Sequence, residues 1–299
     1  MLLQEFYKNC IILVTGGAGF IGSHLCDELV LLGAKVRILD NLSSGSLENI
    51  QAIKNQVEFI QGSITNFDDC MRATKDVDFV FHLAAEISVA ESHYNPYPAL
   101  TTNVQGTSNI LEAARLHKVK NVVFASTAAV YGNREGMCSE DMAPAPVSTY
   151  GYSKLMGEQL CQLYAKTYGL KTVSLRFFNV YGPRQNPKGG DGGVLAVFNE
   201  KLKHNQPLSL FGDGLQTRDF VPVKMVVQAV LQAGLFDSSL ANGQPFNVGT
   251  GTSVTLLSKL DELLKEYPLY QQPINHLADR PGDIKHSACD CSKLQKAVL

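Results

Sequence analysis

The sequence predicts an α/β fold in which a doubly wound parallel sheet is joined to a smaller, discontinuous lobe. Apolar runs of strand length alternate with segments of helical spacing through residues 1–178. Strands that alternate with helices require right-handed crossovers, and these produce a parallel sheet with helices on both faces. A glycine-rich turn at 16–22 joins the first strand to the first helix, and the regular spacing ends after Phe178.

The periodicity of the apolar residues predicts where the elements lie. Strands are predicted near residues 10–15, 35–40, 57–61, 78–83, 121–126 and 172–177. Helices are predicted near residues 20–32, 66–74, 97–117 and 149–168. A later helix at 223–235 and a short strand at 246–249 return the chain to the sheet.

The glycines at 16, 19 and 22 form a dinucleotide-binding pattern of the Rossmann type. Gly16 permits a tight turn, Gly19 lets the backbone approach a pyrophosphate, and Gly22 lets the helix lie close to the strand. The N–H groups and the positive end of the helix dipole then face the phosphates. The second strand ends at Asp40, an acid suited to bind the ribose hydroxyls, so the pattern favours NAD over NADP. A glycine turn without a ligand is the alternative, and the flanking strand and helix argue against it.

A loop-rich lobe is predicted from the residues that follow the sixth strand. Prolines and a glycine-rich run at 188–193 break regular structure between 179 and 216. A last amphipathic helix is predicted at 255–266. We therefore predict a Rossmann domain at 1–178 plus 216–248, and a substrate-binding lobe at 179–215 plus 249–299.

Composition restricts the functions that the chain can have. With 299 residues, 45% of them hydrophobic and 18% charged, the chain has the composition of a soluble globular enzyme. The net charge of −2 gives no basic surface for nucleic acid. No apolar run reaches the length of a membrane span, and no cleavable signal begins the chain, so we expect a cytoplasmic protein. The seven cysteines lack metal-binding spacing, which favours reduced thiols and no metal site.

A tyrosine and a lysine lie four residues apart at the start of the predicted helix 149–168. Residues at this spacing share one helical face, so the Lys154 ammonium group favours the phenolate of Tyr150. The strand at 121–126 is followed by Thr127, and Ser126 and Thr127 place two hydroxyls at its carboxyl end, where sites in such sheets lie. Base, cation and hydroxyl together fit proton removal coupled to hydride transfer. A surface Tyr–Lys pair is the alternative interpretation.

Taken together, these motifs resemble the extended short-chain dehydrogenases/reductases, and among them the NAD-dependent nucleotide-sugar epimerases and dehydratases, with the UDP-sugar 4-epimerases nearest. The resemblance covers about residues 10–295. The matching segments are Thr-Gly-Gly-Ala-Gly-Phe-Ile-Gly at 15–22, Asp-Asn-Leu at 40–42, His-Leu-Ala-Ala at 82–85, Asn-Val-Gln-Gly-Thr at 103–107, Tyr150 with Lys154, and Arg-Phe-Phe-Asn-Val-Tyr-Gly-Pro-Arg at 176–184.

The resemblance implies a role for each matching position. The catalytic residues are Thr127, Tyr150 and Lys154, the cofactor is NAD, the substrate is a UDP-sugar, and the chain forms a homodimer. The implied NAD site comprises Gly16, Gly19, Phe20, Ile21, Asp40, Asn41, Ser44, Gly45, Ser63, Ile64, Leu83, Ala84, Ala85, Asn103, Ala125, Tyr150, Lys154 and Phe177. The implied substrate site comprises Ser126, Thr127, Asn179, Val194, Phe211, Arg218, Arg280, Asp283 and Ser287. Arginines at 218 and 280 are suited to pair with phosphate oxygens.

The residues after Thr127 separate the reactions found within this family. Dehydratases of the family carry an Asp-Glu pair at this point, whereas Ala128 and Ala129 stand here. Methyl groups cannot transfer protons, so we exclude sugar dehydration. Decarboxylases that act on UDP-glucuronate usually carry a glutamate at the position of Ala129, which argues against that reaction too.

Two further positions concern specificity. Gly62-Ser63-Ile64 stands where the family usually has Gly-Asp-Ile, so one adenine contact differs. The resemblance places Ser287 beside the sugar 2-substituent, and a residue this small leaves room for an N-acetyl group. We predict that the acetylated UDP-sugars are accepted as well as UDP-glucose and UDP-galactose. An epimerase or reductase for dTDP-, CDP- or GDP-sugars, and an NAD-binding protein without catalysis, are the alternatives.

Overall fold

The centre of the molecule is a seven-stranded sheet in which every neighbouring pair of strands runs parallel. The computed structural model describes residues 3–134, 136–187, 193–278 and 285–298. The strands are β1 (Ile11–Thr15), β2 (Lys35–Asp40), β3 (Val57–Gln61), β4 (Phe79–His82), β5 (Asn121–Thr127), β6 (Met137–Cys138), β7 (Thr172–Phe177), β8 (Asn179–Tyr181), β9 (Leu208–Phe211), β10 (Thr217–Arg218), β11 (Phe220–Pro222), β12 (Asn242–Val248), β13 (Val254–Thr255), β14 (Ile274–Leu277) and β15 (Ala288–Cys289).

Helices cover both faces of this sheet, which confirms the predicted doubly wound architecture. They are α1 (Leu3–Tyr7), α2 (Phe20–Leu31), α3 (Phe67–Thr74), α4 (Val89–Tyr94), α5 (Pro96–Leu100), α6 (Gly106–Leu116), α7 (Thr149–Tyr168), α8 (Val194–Lys203), α9 (Val223–Gly234), α10 (Leu256–Glu266) and α11 (Ser292–Val298). The sheet order is β12-β7-β5-β4-β1-β2-β3. The order therefore reverses between β1 and β4, beside the glycine turn, where sheets of this kind bind ligands.

Alternation along the strands supplies a hydrophobic core on each face of the sheet. In β1, Ile12 and Val14 join the core under α2 and α9, whereas Leu13 joins the core under α3, α6 and α7. All three side chains are fully buried, as expected for a strand that is covered on both faces. The apolar runs of the sequence therefore reflect burial from two sides.

The prediction of one continuous helix at 97–117 was wrong in one respect. The helix is divided into α5 and α6 by a π-helical turn at Thr101–Gln105. Within this turn the side chain of Asn103 is buried and forms hydrogen bonds with Glu86 and Ser153. Only these partners explain why the helix is interrupted here. Apolar periodicity cannot distinguish this turn from continuous helix.

The loop-rich lobe predicted at 179–216 contains a helix that the prolines and glycines obscured. In α8, the side chains of Leu195, Phe198 and Leu202 are buried at helical spacing in a third hydrophobic cluster. This cluster also includes side chains of β9 and α10, and β9 pairs with β14. The division of the chain at 178, 215 and 248 stays a prediction.

Candidate active site

The glycine turn between β1 and α2 leaves no room for a side chain at Gly16 or Gly22. Gly16 has a φ of +70°, and a Cβ there would lie 2.8 Å from the backbone nitrogen of Ala84. A Cβ on Gly22 would collide with the carbonyl oxygen of Gly16. Gly19 is the N-cap of α2, so the first turn of the helix opens directly from the glycine turn. The bare backbone and the helix N-terminus form a cradle suited to a pyrophosphate.

Asp40 links the end of β2 to this turn. Its Oδ2 accepts from the backbone N–H of Ala18 at 2.9 Å, and its Oδ1 accepts from that of Leu42 at 2.8 Å. A carboxylate has about four acceptor positions, so two remain for other donors. Asp40 therefore fixes the turn and can also accept from ribose hydroxyls, which fits NAD.

A cavity of about 210 Å³ extends from the glycine turn across the carboxyl ends of the central strands. Most of the predicted cofactor residues line it: Gly16, Gly19, Phe20, Ile21, Asp40, Asn41, Ser44, Ser63, Ile64, Leu83, Ala84, Ala85, Ala125, Tyr150, Lys154 and Phe177. The strands and loops thus bring together residues that are up to 161 positions apart, counting from Gly16 to Phe177. Ser63 takes part in this lining in place of the family's usual aspartate.

Gly45 lies behind the cavity. A Cβ there would lie 3.0 Å from the backbone of Ala18, and the neighbouring Ser46 N–H donates to the Ala18 carbonyl at 3.0 Å. Through Gly45 the loop after β2 thus packs against the glycine turn, and the predicted contact of Gly45 with the cofactor stays a prediction.

Asn103 also supports the cavity from behind. Its Oδ1 accepts from the N–H of Glu86 at 2.8 Å, and its Nδ2 donates to the Glu86 carbonyl and to the Ser153 hydroxyl, both at 2.8 Å. The side chain is 1% exposed. Asn103 thus ties the loop after β4 to α7, and its predicted contact with the cofactor stays a prediction.

Tyr150 and Lys154 lie on the first turns of α7, and both line the cavity. Ser148 caps the helix by accepting from the N–H of Gly151 at 3.1 Å. Lys154 is 3% exposed, and its Nζ lies 4.4 Å from the centre of the Phe124 ring. Burial lowers the pKa of Lys154 to about 8, so its ammonium form persists at neutral pH.

The two hydroxyls at the end of β5 have different partners. Thr127 caps the short helical turn that follows, since its Oγ1 accepts from the N–H of Ala129 at 3.2 Å, and it remains half-buried. Ser126 borders the cavity, but its hydroxyl donates to Glu158 Oε1 at 2.5 Å. The Ser126 hydroxyl is thus bonded to α7, and its predicted contact with the substrate stays a prediction.

His82 is held neutral below the site. Because the Thr107 hydroxyl donates to the Asn103 carbonyl at 2.6 Å, it can only accept from His82 Nε2, which lies 3.0 Å away. His82 Nδ1 then accepts from the Thr15 hydroxyl at 2.7 Å. Burial, followed by the nearby Lys154 charge, lowers the pKa of His82 to about 3. His82 is thus a buried core residue.

A second cavity of about 460 Å³ lies among α8, β9 and β10. Of the predicted substrate residues, it is lined by Asn179, Val194, Phe211 and Arg218. Ser287 lies beside β10, where its N–H donates to the Thr217 carbonyl at 3.2 Å. Arg280 and Asp283 lie outside the described residues, so their predicted contacts stay predictions.

Several residues of both cavities were missed in the sequence. Glu86 borders the cofactor cavity together with Ile87 and Thr102, and Gln185 and Gln216 border the second cavity. Glu86 follows the carboxyl end of a central strand, as Thr127 does, but a solvated loop carboxylate is an equal interpretation of that position, so it was not assigned to the site. The two glutamines lie on irregular segments that no periodicity signals.

Metal-ligand clusters and membrane-spanning helices are both absent from residues 3–134, 136–187, 193–278 and 285–298. In these ranges no three His, Cys, Asp or Glu side chains are grouped so that they could hold a metal ion. Among the helices of the same ranges, none has the length and hydropathy needed to cross a membrane. All seven cysteines are free thiols.

Comparisons with known proteins agree with this geometry. Residues 12–249 match the sequence model of the NAD dependent epimerase/dehydratase family. A putative UDP-glucose 4-epimerase of Methanocaldococcus jannaschii is 40% identical, over 95% of this chain and 91% of that protein. The UDP-glucose 4-epimerase structure of Thermotoga maritima with UDP-glucose is 38% identical, with a TM-score of 0.88 over 96% of this chain and 91% of that one. The UDP-N-acetylglucosamine 4-epimerase of Methanobrevibacter ruminantium, in complex with UDP-N-acetylmuramic acid, is 34% identical, with a TM-score of 0.90 over 98% and 93%.

Proposed function

The chain belongs to the NAD-dependent epimerase/dehydratase family, and we propose that it is a nucleotide-sugar 4-epimerase. The observation that carries the proposal is the placement of Tyr150 and Lys154 in the cavity that begins at the glycine turn. NAD, the cofactor of this family, supplies a hydride acceptor and donor when it is bound. The turn at Gly16, the helix N-terminus and Asp40 would hold it.

The residues of the chain supply the proton chemistry. Tyr150 removes the proton of the sugar 4-hydroxyl as the hydride leaves carbon 4, and it returns a proton when the hydride comes back to the opposite face. The buried ammonium group of Lys154 stabilises the phenolate form that this step requires. Thr127, at the end of β5, orients the hydroxyl.

The turn after Thr127 argues against dehydration and decarboxylation. Ala128 and Ala129 begin a short helical turn there, so methyl groups occupy the positions where those reactions need carboxyl groups. Glu86 borders the cavity, but elimination of water needs an acid and a base that act together. This arrangement favours reversal of configuration at carbon 4.

For the substrate we propose UDP-glucose and UDP-galactose, together with their N-acetylated counterparts. The similar proteins support both kinds of sugar, since their names include a UDP-glucose 4-epimerase and a UDP-N-acetylglucosamine 4-epimerase. The larger cavity, with the guanidinium group of Arg218 at its wall, offers a place for the nucleoside diphosphate. The family resemblance places Ser287 beside the sugar 2-substituent, where so small a side chain would leave room for an acetamido group.

A screen of nucleotide sugars tests this function. Purified protein is incubated without added NAD with UDP-, dTDP-, CDP- and GDP-sugars, and the products are separated. We expect UDP-glucose and UDP-galactose to interconvert. Conversion of dTDP-, CDP- or GDP-sugars alone would show that the substrate carries that nucleotide instead of UDP. Protein that contains NAD but converts none of the sugars would refute catalysis.

We also propose that the chain forms a homodimer through α5 and α7. The solvent-facing side of α7 carries Tyr152, Met156 and Leu163, which are 50%, 39% and 47% exposed. Tyr97 and Leu100 extend this apolar surface on α5, with 74% and 38% exposure. Large exposed apolar patches often mark protein–protein interfaces, and a second copy of the chain packed against this surface would bury it.

A further inference from the structure

A buried ion pair lies directly beneath the candidate active site. Glu158 on α7 accepts from Arg176 on β7 in a bidentate arrangement, with Nε at 2.9 Å and Nη2 at 2.7 Å. The two residues are 1% and 2% exposed. A pair buried this deeply often contributes little net stability, because both charges lose their hydration. Its position therefore calls for a functional explanation.

Glu158 lies one helical turn after Lys154, on the same buried side of α7. Its Oε1 also accepts from the hydroxyl of Ser126, the residue that precedes Thr127. One carboxylate thus connects the helix that carries Tyr150 and Lys154 with the strand that ends at Thr127.

Arg176 is held from the side opposite α7. Its Nη1 donates to the Tyr131 hydroxyl at 2.9 Å, and that hydroxyl donates to Asn247 Oδ1 at 2.7 Å. Asn247 Nδ2 in turn donates to the Cys138 carbonyl at 2.9 Å. This chain of bonds through β7, β12 and β6 fixes the guanidinium group, and the guanidinium group fixes Glu158.

We propose that Glu158 is a positioning residue for Lys154: its carboxylate, one helical turn further along the same buried side of α7, places a negative charge that favours the ammonium form of Lys154. The inference rests on the proposed function only in that Lys154 is the catalytic cation. Gln at position 158 would keep the shape of the side chain and remove its charge.

The electrostatics around Lys154 agree with this role. Burial is the largest influence and lowers the pKa of Lys154, while Cys161 and then Glu158 oppose it. Cys161 acts in the same direction as Glu158, but burial raises its own pKa to about 12, so it stays a neutral thiol. The remaining ionisable groups that face or adjoin Lys154 are Tyr150 on α7, neutral His82 on β4, Glu86 after β4, and Arg176 behind Glu158 on β7.

The test is a direct titration of Lys154 in the NAD-loaded protein. Lysines are labelled with carbon-13 at the ε position, and their NMR signals are followed from about pH 6 to about pH 11, the range that spans lysine titration. The Lys154 signal is identified by its loss in Lys154→Arg. In Glu158→Gln we expect the pKa of Lys154 to fall by about one unit, since a charge one helical turn away is removed.

Glu112→Gln is the matched control. Glu112 on α6 also pairs with an arginine in a bidentate arrangement, at 2.8 and 2.6 Å from Arg115, but it lies at a partly exposed site. We expect no change in the pKa of Lys154 in this variant. If Glu158→Gln fails to fold, Glu158→Gln with Arg176→Gln leaves no unpaired buried charge, and the pKa should still fall because Glu158, unlike Arg176, is among the charges that act on Lys154.

An unchanged Lys154 pKa in a folded Glu158 variant would overturn the proposal, and so would an equal shift in Glu112→Gln. Neither result depends on turnover of any sugar. Failure of the proposed function is detected separately by the nucleotide-sugar screen.

Discussion

Tyr150 is the residue on which the proposed reaction depends most. In Tyr150→Phe the phenol oxygen is lost while the ring and helix remain, so we expect kcat to fall by about 10²–10⁴-fold. The content of bound NAD should be unchanged. Steady-state kinetics and release of NAD on denaturation measure both quantities.

Tyr152→Phe is the control for this substitution. It removes the same oxygen from the same helix at a half-exposed position outside the cavity lining. Near-normal turnover is expected there. Near-normal turnover in Tyr150→Phe would show that another residue is the base.

Ser287 is the residue expected to set tolerance for the acetylated sugars. In Ser287→Tyr the larger side chain should fill the space beside the sugar 2-substituent. We expect kcat/KM for the acetylated pair to fall by at least about tenfold, as for other steric exclusions from a binding pocket. Turnover of the plain pair in the same variant is the control, and an equal loss for both pairs would place Ser287 elsewhere.

Individual site residues could be predicted from the sequence where they obey a spacing rule. Tyr150 and Lys154 share a helical face, and Thr127 and Asp40 end parallel strands, so all four could be assigned before the fold was known. Hydrogen-bond partners could not be predicted this way. The Ser126 hydroxyl turns to Glu158, which is 32 residues away in the chain.

Among the elements, the π-helical turn between α5 and α6 is the one whose role could not be predicted from the sequence. Asn103→Ala would leave the N–H and carbonyl of Glu86 without their present partners in the folded state. We expect a loss of about 2–3 kcal/mol in the free energy of unfolding, as unpaired buried polar groups cost. Denaturant titration measures the loss, and activity should fall as the loop after β4 shifts.

Asn109→Ala, on the neighbouring α6, is the control for Asn103→Ala. Asn109 makes one hydrogen bond, from its Nδ2 to the Ile64 carbonyl at 2.9 Å. We expect a loss of about 1 kcal/mol there with activity retained. Equal effects of the two variants would contradict the special role of the turn.

Elements with strong periodicity were predicted closely, and irregular ones were not. The predicted helix 149–168 coincides with α7, which is bounded by the Ser148 cap and by Gly169 at a φ of +70°. The helix α8 follows a glycine-rich run and was missed, because prolines and glycines nearby were interpreted as breaking the whole segment. Packing of its apolar face against β9 and α10 outweighs those local signals.

For the whole molecule, the sheet order explains why the site forms where it does. The chain adds β2 and β3 on one side of β1, and then β4, β5, β7 and β12 on the other side. The carboxyl ends of β1, β4 and β5 therefore open onto one cavity. The alternation of strands and helices predicted this arrangement. The boundary between the two predicted domains has no such local signature and stays a prediction.

The exposed apolar surface of α5 and α7 predicts that the chain forms a dimer. We expect a dimer by analytical ultracentrifugation, and a monomer when Met156→Glu and Leu163→Glu are combined, because charges would then be buried in the interface. Leu269→Glu is the control, since Leu269 is 86% exposed outside these helices. A monomeric wild-type protein, or a dimer in the double variant, would contradict the proposed interface.

In the proposed reaction the hydride removed from carbon 4 returns to that same carbon. The most direct measurement uses UDP-glucose carrying deuterium at carbon 4, incubated with the protein in ordinary water without added NAD. The proposed function requires that the UDP-galactose formed retains the deuterium at carbon 4. Loss of the label to solvent would contradict hydride transfer and, with it, the role assigned to the cavity between the glycine turn and Lys154.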